Sequence, residues 1–419
     1  AHFSIWIIVA ISIGLMLIRP RNIPEVYCIG AGALLLLILR LLPMRVAGQA
    51  IAKAVDVCFF LTGMMLLSEL AREQGVFDWL SSIAVRGADG SCSKLFTLVY
   101  AVGMIVTIFM SNDATAVVLT PAILTAVRKA KVQPLPYLFV CAFIANAASF
   151  VLPISNPANL VVFHNDMPRL GQWIISLGVP SGVSIVTTYF ALRWLFRREL
   201  NARVESKLPA ESLSDSGKLV LGGLVCMVFV LLLASSFKKD LGLPTCLAAL
   251  AVTIVVSIKA RSNPVRLARE ISWSTLLLVA GLFVMVEAVE NIGAMQYTLR
   301  WLAWAQNLGS WAGTLIMGFA VGLANSLVNN LPLGLVAGAT LQAANAKGLI
   351  ASAVLIGVDL GPNLSITGSL ATILWLIALR KEKIDAGFWS FFRIGMVAMP
   401  VALLASLVGA IVMQILGAS

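Results

Sequence analysis

The chain has 419 residues, 60% of them hydrophobic and only 12% charged, whereas ordinary soluble chains carry roughly 45–50% apolar and about 25% charged residues. A mean hydropathy of +0.96 leaves too little polar surface to cover a water-soluble particle, which excludes a soluble enzyme, a disordered scaffold and a secreted disulfide domain. The net charge of +11 reads, in a membrane chain, as basic loops held on the cytoplasmic side rather than as a nucleic-acid surface.

A helix needs about 20 mostly apolar residues to cross a bilayer. In chain order the plain candidates are 3–18, 24–42, 55–70, 172–192, 219–237, 241–258, 271–286 and 394–416. The first lacks a basic leader and a small-residue cleavage site, so it reads as a span and not as a signal peptide. Four further apolar stretches are interrupted. The stretch 95–127 holds Ser111-Asn112-Asp113-Ala114-Thr115 at its middle, and 137–163 is broken at Pro153-Ile154-Ser155-Asn156-Pro157. The stretch 301–346 runs 46 residues without a charge, interrupted at Asn325-Ser326 and Asn329-Asn330-Leu331-Pro332. The last, 349–379, carries Asp359-Leu360-Gly361-Pro362-Asn363 and then Thr367-Gly368-Ser369.

The interruptions form two matched pairs. Gly63, Glu69 and Gly75 recur as Gly281, Glu287 and Gly293 at an offset of 218; Asn112-Asp113 recurs as Asn329-Asn330 at 217. Asn146 with Ser155-Asn156 corresponds to Asp359 with Gly368-Ser369 at 213. Each half thus reads as three spans, a re-entrant hairpin, a broken span and a final span. Counting sides from a cytoplasmic 193–218 loop places 22 basic residues inside and 8 outside, the latter including Lys53, Arg169, Lys238 and Lys347. Five spans per half invert one half relative to the other, a signature of secondary transporters with alternating access. The expected fold is therefore an all-α polytopic membrane protein of two inverted repeats, about ten transmembrane helices and two re-entrant hairpins, with broken helices at the midplane. The first repeat is 1–200, with a hairpin near 95–127 entering from the cytoplasm and a broken span at 137–165. A cytoplasmic linker follows at 201–218. The second repeat is 219–419, with a hairpin near 312–343 entering from outside and a broken span at 349–379.

Non-helical backbone at membrane depth survives only around a protein-lined cavity, because lipid satisfies no backbone group. Asn112, Asp113, Ser155, Asn156, Asn329, Asn330, Thr367, Gly368 and Ser369 are therefore the candidate substrate-binding residues. Asn156 before Pro157 reads as a helix cap followed by proline at the first helical position. The alternative is that these residues only cap their own helices; four matched interruptions favour a shared site. Ionisable residues inside a membrane are costly and functional by default. Asp113 and Asp359 lie in the broken elements, whereas Glu69, Glu287 and Glu290 sit at span ends and suit interfacial pairing. His2 and His164 read as interfacial, and Trp301, Trp304 and Trp311 as an aromatic belt. The six cysteines, Cys28, Cys58, Cys92, Cys141, Cys226 and Cys246, form no Cys-x-x-Cys pair and suggest neither a metal site nor a disulfide framework. No Walker motif appears, so the chain itself does not hydrolyse ATP, and no cofactor is called for.

Ser111-Asn112-Asp113-Ala114-Thr115-Ala116 with Leu119-Thr120-Pro121 resembles the first hairpin of bacterial arsenite/antimonite efflux permeases of the ion transporter superfamily. Residues 143–149 and 153–161 resemble that family's broken span. Asn329-Asn330-Leu331-Pro332, Val358-Asp359-Leu360-Gly361-Pro362-Asn363 and Gly368-Ser369-Leu370-Ala371-Thr372 extend the likeness over essentially the whole chain. The resemblance implies a multi-pass protein of the bacterial inner membrane, not an enzyme, that exports arsenite and antimonite. Near neutral pH these are largely uncharged trihydroxides, which suit amide and hydroxyl partners; a metalloid would then be held through its hydroxyls, not by cysteines. A neutral solute feels no membrane potential, so uphill export needs coupling, expected to be proton antiport through Asp113 or Asp359. The resemblance also admits a soluble cytoplasmic ATPase as an energising partner. Two alternatives stand beside it: a sodium-coupled dicarboxylate carrier of the same superfamily and a passive channel for neutral solutes. The sodium-coupled members have Ser-Asn-Thr hairpin tips that this chain lacks, and no Lys or Arg lies in the broken regions.

Overall fold

A computed structural model describes every residue except 1, 19–22, 164–165, 202–211, 238, 294, 385 and 418–419. His164, Arg19, Arg21, Lys238 and most of the 201–218 linker thus lie outside the described residues. The described chain is all helical. In order run α1 (His2–Ile18), α2 (Glu25–Ile38), α3 (Met44–Glu73), α4 (Val76–Gly87), α5 (Cys92–Phe109), α6 (Thr120–Lys129), α7 (Leu135–Ala147), α8 (Pro157–Val162) and α9 (Leu170–Leu195). Then follow α10 (Asp215–Ser236), α11 (Gly242–Ala260), α12 (Pro264–Glu270), α13 (Trp273–Asn291) and α14 (Met295–Asn307). The last five are α15 (Ser310–Val328), α16 (Asn330–Ala343), α17 (Leu349–Leu360), α18 (Leu370–Lys381) and α19 (Phe388–Ile415). Eight of these, α3, α5, α9, α10, α11, α13, α15 and α19, are long and apolar enough to cross a membrane; α1, α2, α7 and α17 are shorter apolar helices.

The distribution of polarity is that of a bilayer protein. Phe190, Phe229, Leu233, Leu247 and Ile258 point outward, while Asn146, Asn159, Asn325, Asp359 and Asn363 are fully buried. With lipid tails as apolar as leucine, helices associate through close packing and small residues. Gly63 shows this: a Cβ there would lie 2.8 Å from the carbonyl oxygen of Thr245, so α3 and α11 meet backbone to backbone. α3 also packs on α13, and Lys53 joins Glu287 of that helix at 2.7 Å. At the other end of α3, Arg72 pairs with Glu69 and, at 2.6 Å, with Glu270 of α12.

Two hairpins, α5–α6 and α15–α16, each pack their second arm on the half-helix of the other half of the chain. The π-helical stretch Ala114–Leu119 before α6 lies on α18, and α16 lies on α8. A matching ion pair accompanies each contact: Arg128 at the end of α6 meets Glu382 beyond α18 at 2.6 Å, and Lys347 beyond α16 meets Asp166 beyond α8.

Three features differ from the sequence reading. Asn325-Ser326, read as an interruption, lies inside α15, which runs unbroken to Val328. Ser326 shares the Gly322 carbonyl with the helix's own bond at 3.0 Å and Asn325 reaches sideways to the Val358 carbonyl, so neither side chain takes a backbone N–H and the helix continues. The uncharged stretch 301–346 contains a separate amphipathic helix, α14, set off by a left-handed Gly309 (φ +94°) and carrying Trp301 and Trp304. Its counterpart after Gly75 is α4, which hydropathy alone does not reveal because its apolar residues lie on one face.

Candidate functional site

Proline and asparagine shape the first interruption. α7 ends at Ala147, a single tight turn spans Pro153–Ser155, and Asn156 caps α8 by accepting the Ala158 N–H at 3.0 Å. Pro153 and Pro157 bring no backbone N–H to continue a helix. The Asn159 amide holds the loop by donating to the carbonyls of Ser149, Leu152 and Pro153 at 2.9, 3.2 and 3.3 Å. The second interruption is built alike: α17 ends at Leu360, short turns follow at Gly361–Asn363 and Ile366–Gly368, and Ser369 caps α18 at the Ala371 N–H, 3.1 Å away. A Cβ on Gly368 would sit 2.7 Å from the Pro362 Cα, so the second break folds on itself only with glycine there.

The two interruptions touch. Asn156 Nδ2 donates to Asp359 Oδ1 at 2.7 Å, and Asn146 Nδ2 donates to Asn363 Oδ1 at 2.9 Å. Asn363 Nδ2 in turn donates to the Phe143 carbonyl at 3.1 Å. Ser149 lies beside the Asp359 carboxyl while its hydroxyl donates to the Asn146 carbonyl at 2.7 Å. The site is fully buried: Asn146, Asn159, Asn325, Asp359 and Asn363 are all 0% exposed. Four of their oxygens, Asn146 Oδ1, Asn159 Oδ1, Asn325 Oδ1 and Asp359 Oδ2, have no hydrogen-bond partner among the described residues. Each is an acceptor. Buried polar atoms are ordinarily satisfied, so this cluster has unfilled capacity for groups that bring hydrogen-bond donors.

Each hairpin meets the break of its own half through hydroxyls. Ser155 Oγ donates to the Ile108 carbonyl at 2.9 Å, and Thr367 Oγ1 to the Ser326 carbonyl at 3.1 Å. At the second tip Asn329 donates to the Thr367 carbonyl at 3.2 Å from a backbone held at φ +87°, ψ 147°. That region is strained for a residue with a side chain. At the first tip Asn112 turns onto its own chain, accepting the Asp113 N–H at 2.9 Å, and is buried beside a half-buried Asp113. Asn330 is buried at the start of α16. Of the residues singled out from sequence, the structure thus joins Asn156 directly to Asp359, and Asn329 to Thr367. Asn159 and Asn363 were not singled out there; their only sequence signal is an amide within three residues of a proline-marked break.

A cavity of about 670 Å³ opens between α3 and α13 on one side and α8, α16 and α17 on the other, with Lys53, Glu287, Glu290, Asp166 and Lys347 on its walls. Ser352 also lines it. That residue precedes Asp359 by seven positions, about 10 Å along α17 at 1.5 Å per residue. Among the described residues no trio of His, Cys, Asp and Glu is grouped to hold a metal ion.

Matched helix breaks meeting in a buried polar core within a bundle of membrane-crossing helices define a multi-pass membrane transporter. The family model described as citrate transporter (CitMHS) matches residues 8–362. An arsenical pump membrane protein of Escherichia coli (strain K12) is 30% identical over 350 residues, 80% of this chain and 81% of that one. Its counterpart in Yersinia enterocolitica is 30% identical over 351 residues with the same coverage. An uncharacterized transporter of Synechocystis is 22% identical over 433 residues, 97% of this chain and 96% of its own length. In three dimensions the chain resembles the YdaH transporter of Alcanivorax borkumensis, with a TM-score of 0.58 at 14% identity over 88% of each chain, a likeness of fold alone. The chain belongs to the citrate-transporter family and, within the ion transporter superfamily, to its bacterial arsenite-permease branch. It is a multi-pass inner-membrane transporter and not an enzyme.

Proposed function

We propose that this protein exports arsenite and antimonite from the cytoplasm by proton antiport, with alternating access between two inverted repeats. The observation that carries the reading is the set of four buried acceptor oxygens without partners around the two breaks. A neutral trihydroxide brings O–H donors and no charge, and the amides and hydroxyls at these breaks are neutral. Asn112, Asp113, Ser155, Asn156, Asn329, Asn330, Thr367, Gly368 and Ser369 are assigned to binding, and Asp359, with Asp113 second, to the proton. Asp359 is preferred because its Oδ2 is free to carry the proton while Oδ1 keeps the Asn156 bond in either state. With Lys53, Arg169 and Lys347 outside, the 670 Å³ cavity is the outer vestibule through which substrate leaves and protons enter. A soluble ATPase docking on the cytoplasmic loops is a further energy source that this reading accommodates.

The description of the family model favours a second reading, a carboxylate carrier. Against it, α7, α8, α15, α16 and α17 carry no Lys or Arg. The half-helix α8 is only six residues long, and one N–H in the first turn of each of α8 and α18 is already taken, by Asn156 and Ser369, which weakens both ends as anion sites. Inside-out vesicles decide between them. Arsenite uptake that concentrates under an acid-inside pH gradient supports antiport, equilibration without concentration identifies a channel, and uptake of citrate in place of arsenite identifies a carboxylate carrier.

A further inference from the structure

The two interruptions are held differently. The second is tied to its own hairpin: Asn325 donates to the Val358 carbonyl at 2.6 Å, Ser326 to the Gly361 carbonyl at 2.9 Å, and Thr367 back to Ser326 at 3.1 Å. Among the described residues the first has a single such bond, from Ser155 to Ile108. Its two edges are gripped instead by the other half. Asn363 holds Asn146 and the Phe143 carbonyl, which lie three residues apart on one face of α7, and Asp359 holds Asn156 at the start of α8. Residues 359 and 363 therefore bridge the gap 146–156 as a splint, which adds to the loop's own ties from Asn159 in setting where α8 starts relative to where α7 ends.

This arrangement has a consequence for Asp359. Its hydrogen-bond donor, Asn156, sits on the far edge of a loop whose near edge is placed by Asn363. Charged groups do not compete for it. α7, α8, α15 and α16 bear no Asp, Glu, Lys, Arg or His. On α9 Arg193 is bonded to the Tyr189 hydroxyl, on α19 Arg393 is exposed, and Tyr137 on α7 donates to the Cys92 carbonyl. Cys141 on α7 is a buried thiol. The local influences on the charge of Asp359 are thus its burial and its contacts with Ser149 and Asn156, both of which lie on the loop whose near edge Asn363 places.

We propose that Asn363, through its bonds to Asn146 and the Phe143 carbonyl, is a positioning residue that sets the Asn156–Asp359 contact and through it the proton coupling of transport. The inference rests on the antiport reading and adds to it a residue that touches neither proton nor substrate. The test follows the pH dependence of arsenite uptake by inside-out vesicles carrying the full chain. Asn156→Ala, which removes the donor itself, sets the reference displacement of the pH profile. Asn363→Leu is expected to displace it in the same direction by about half a pH unit or more, with KM for arsenite within about threefold of wild type. The double variant is expected to move no further than Asn156→Ala alone, because both changes act through one contact. A reduced maximal rate with an unmoved profile would make Asn363 a packing residue and overturn the proposal. Should Asn363→Leu fail to reach the membrane, Asn363→Ala removes the same two bonds with a smaller side chain and is read the same way. Wild-type vesicles without pH-dependent arsenite flux would defeat the antiport reading by themselves. The splint is then read from Asn146→Cys/Asn363→Cys in a background lacking the six native cysteines: oxidative cross-linking supports it, and its absence under all conditions overturns it.

Discussion

Asp359→Asn is the most direct probe of the coupling. The substitution is nearly isosteric at a site with no exposure, and the new amide oxygen can keep the 2.7 Å bond from Asn156. The new NH₂ falls where Oδ2 has no partner among the described residues, so no existing bond is broken. A hydrogen bond to a charged group contributes about 1.5–3 kcal/mol and a neutral one about 0.5–1.5 kcal/mol, so the weaker Asn156 bond costs about 1 kcal/mol and the unpaired NH₂ about 1–3 kcal/mol more, within a stability of about 5–15 kcal/mol. The variant should reach the membrane at normal levels. Its energetics should change completely, since one pH unit stores about 1.4 kcal/mol per proton and sustains about tenfold accumulation in one-for-one exchange. Asn cannot exchange that proton. Inside-out vesicles with an acid lumen should therefore show accumulation for the wild type and a luminal-to-external arsenite ratio of about one for the variant. Undiminished, gradient-dependent accumulation in Asp359→Asn would refute the assignment and turn attention to Asp113.

Other expectations follow from the same contacts. At Gly338 of α16 a Cβ would lie 2.5 Å from the Val162 carbonyl oxygen and 2.9 Å from its Cα, so Gly338→Val should push the second hairpin off α8 at about 1–3 kcal/mol; transport per membrane-inserted molecule is expected to collapse, and normal rates would show the two segments free to separate. Asn329→Gly relieves the backbone at φ +87° while losing the bond to Thr367, so its membrane level should match or exceed that of Asn329→Ala, with arsenite affinity reduced in both. Wild-type affinity in both would remove the tip from the binding site. No cysteine lies on a break or a hairpin tip, so replacing all six by Ala or Ser should leave export largely intact; loss of resistance at normal membrane levels would instead point to thiol ligation.

Composition and periodicity were enough to establish a polytopic helical membrane protein, because a chain this apolar has no soluble alternative and lipid forces its backbone into helices. The positions of the breaks were legible for a related reason. Proline, glycine and paired amides inside long apolar runs declare where the helical bond pattern stops, and Pro157, Pro362 and Gly368 did so to within a residue or two. Asn325-Ser326 misled in the same terms, since a polar pair reads identically whether it ends a helix or reaches from within one to a neighbour, here the Val358 and Gly361 carbonyls.

Which polar residues meet was decided by tertiary structure alone. Asn156 and Asp359 are 203 positions apart and Asn146 and Asn363 are 217 apart, and neither pairing follows the offset of 213 that aligns the two breaks. A sequence repeat identifies equivalent positions. The contacts run instead between inequivalent ones, because two broken helices packed against each other bring the edge of one interruption to the last turn of the other. The same packing left four acceptor oxygens without a donor among the described residues in a fully buried core. Burial and hydrogen-bond balance are properties of an assembled interior, and no window of residues along the chain contains them.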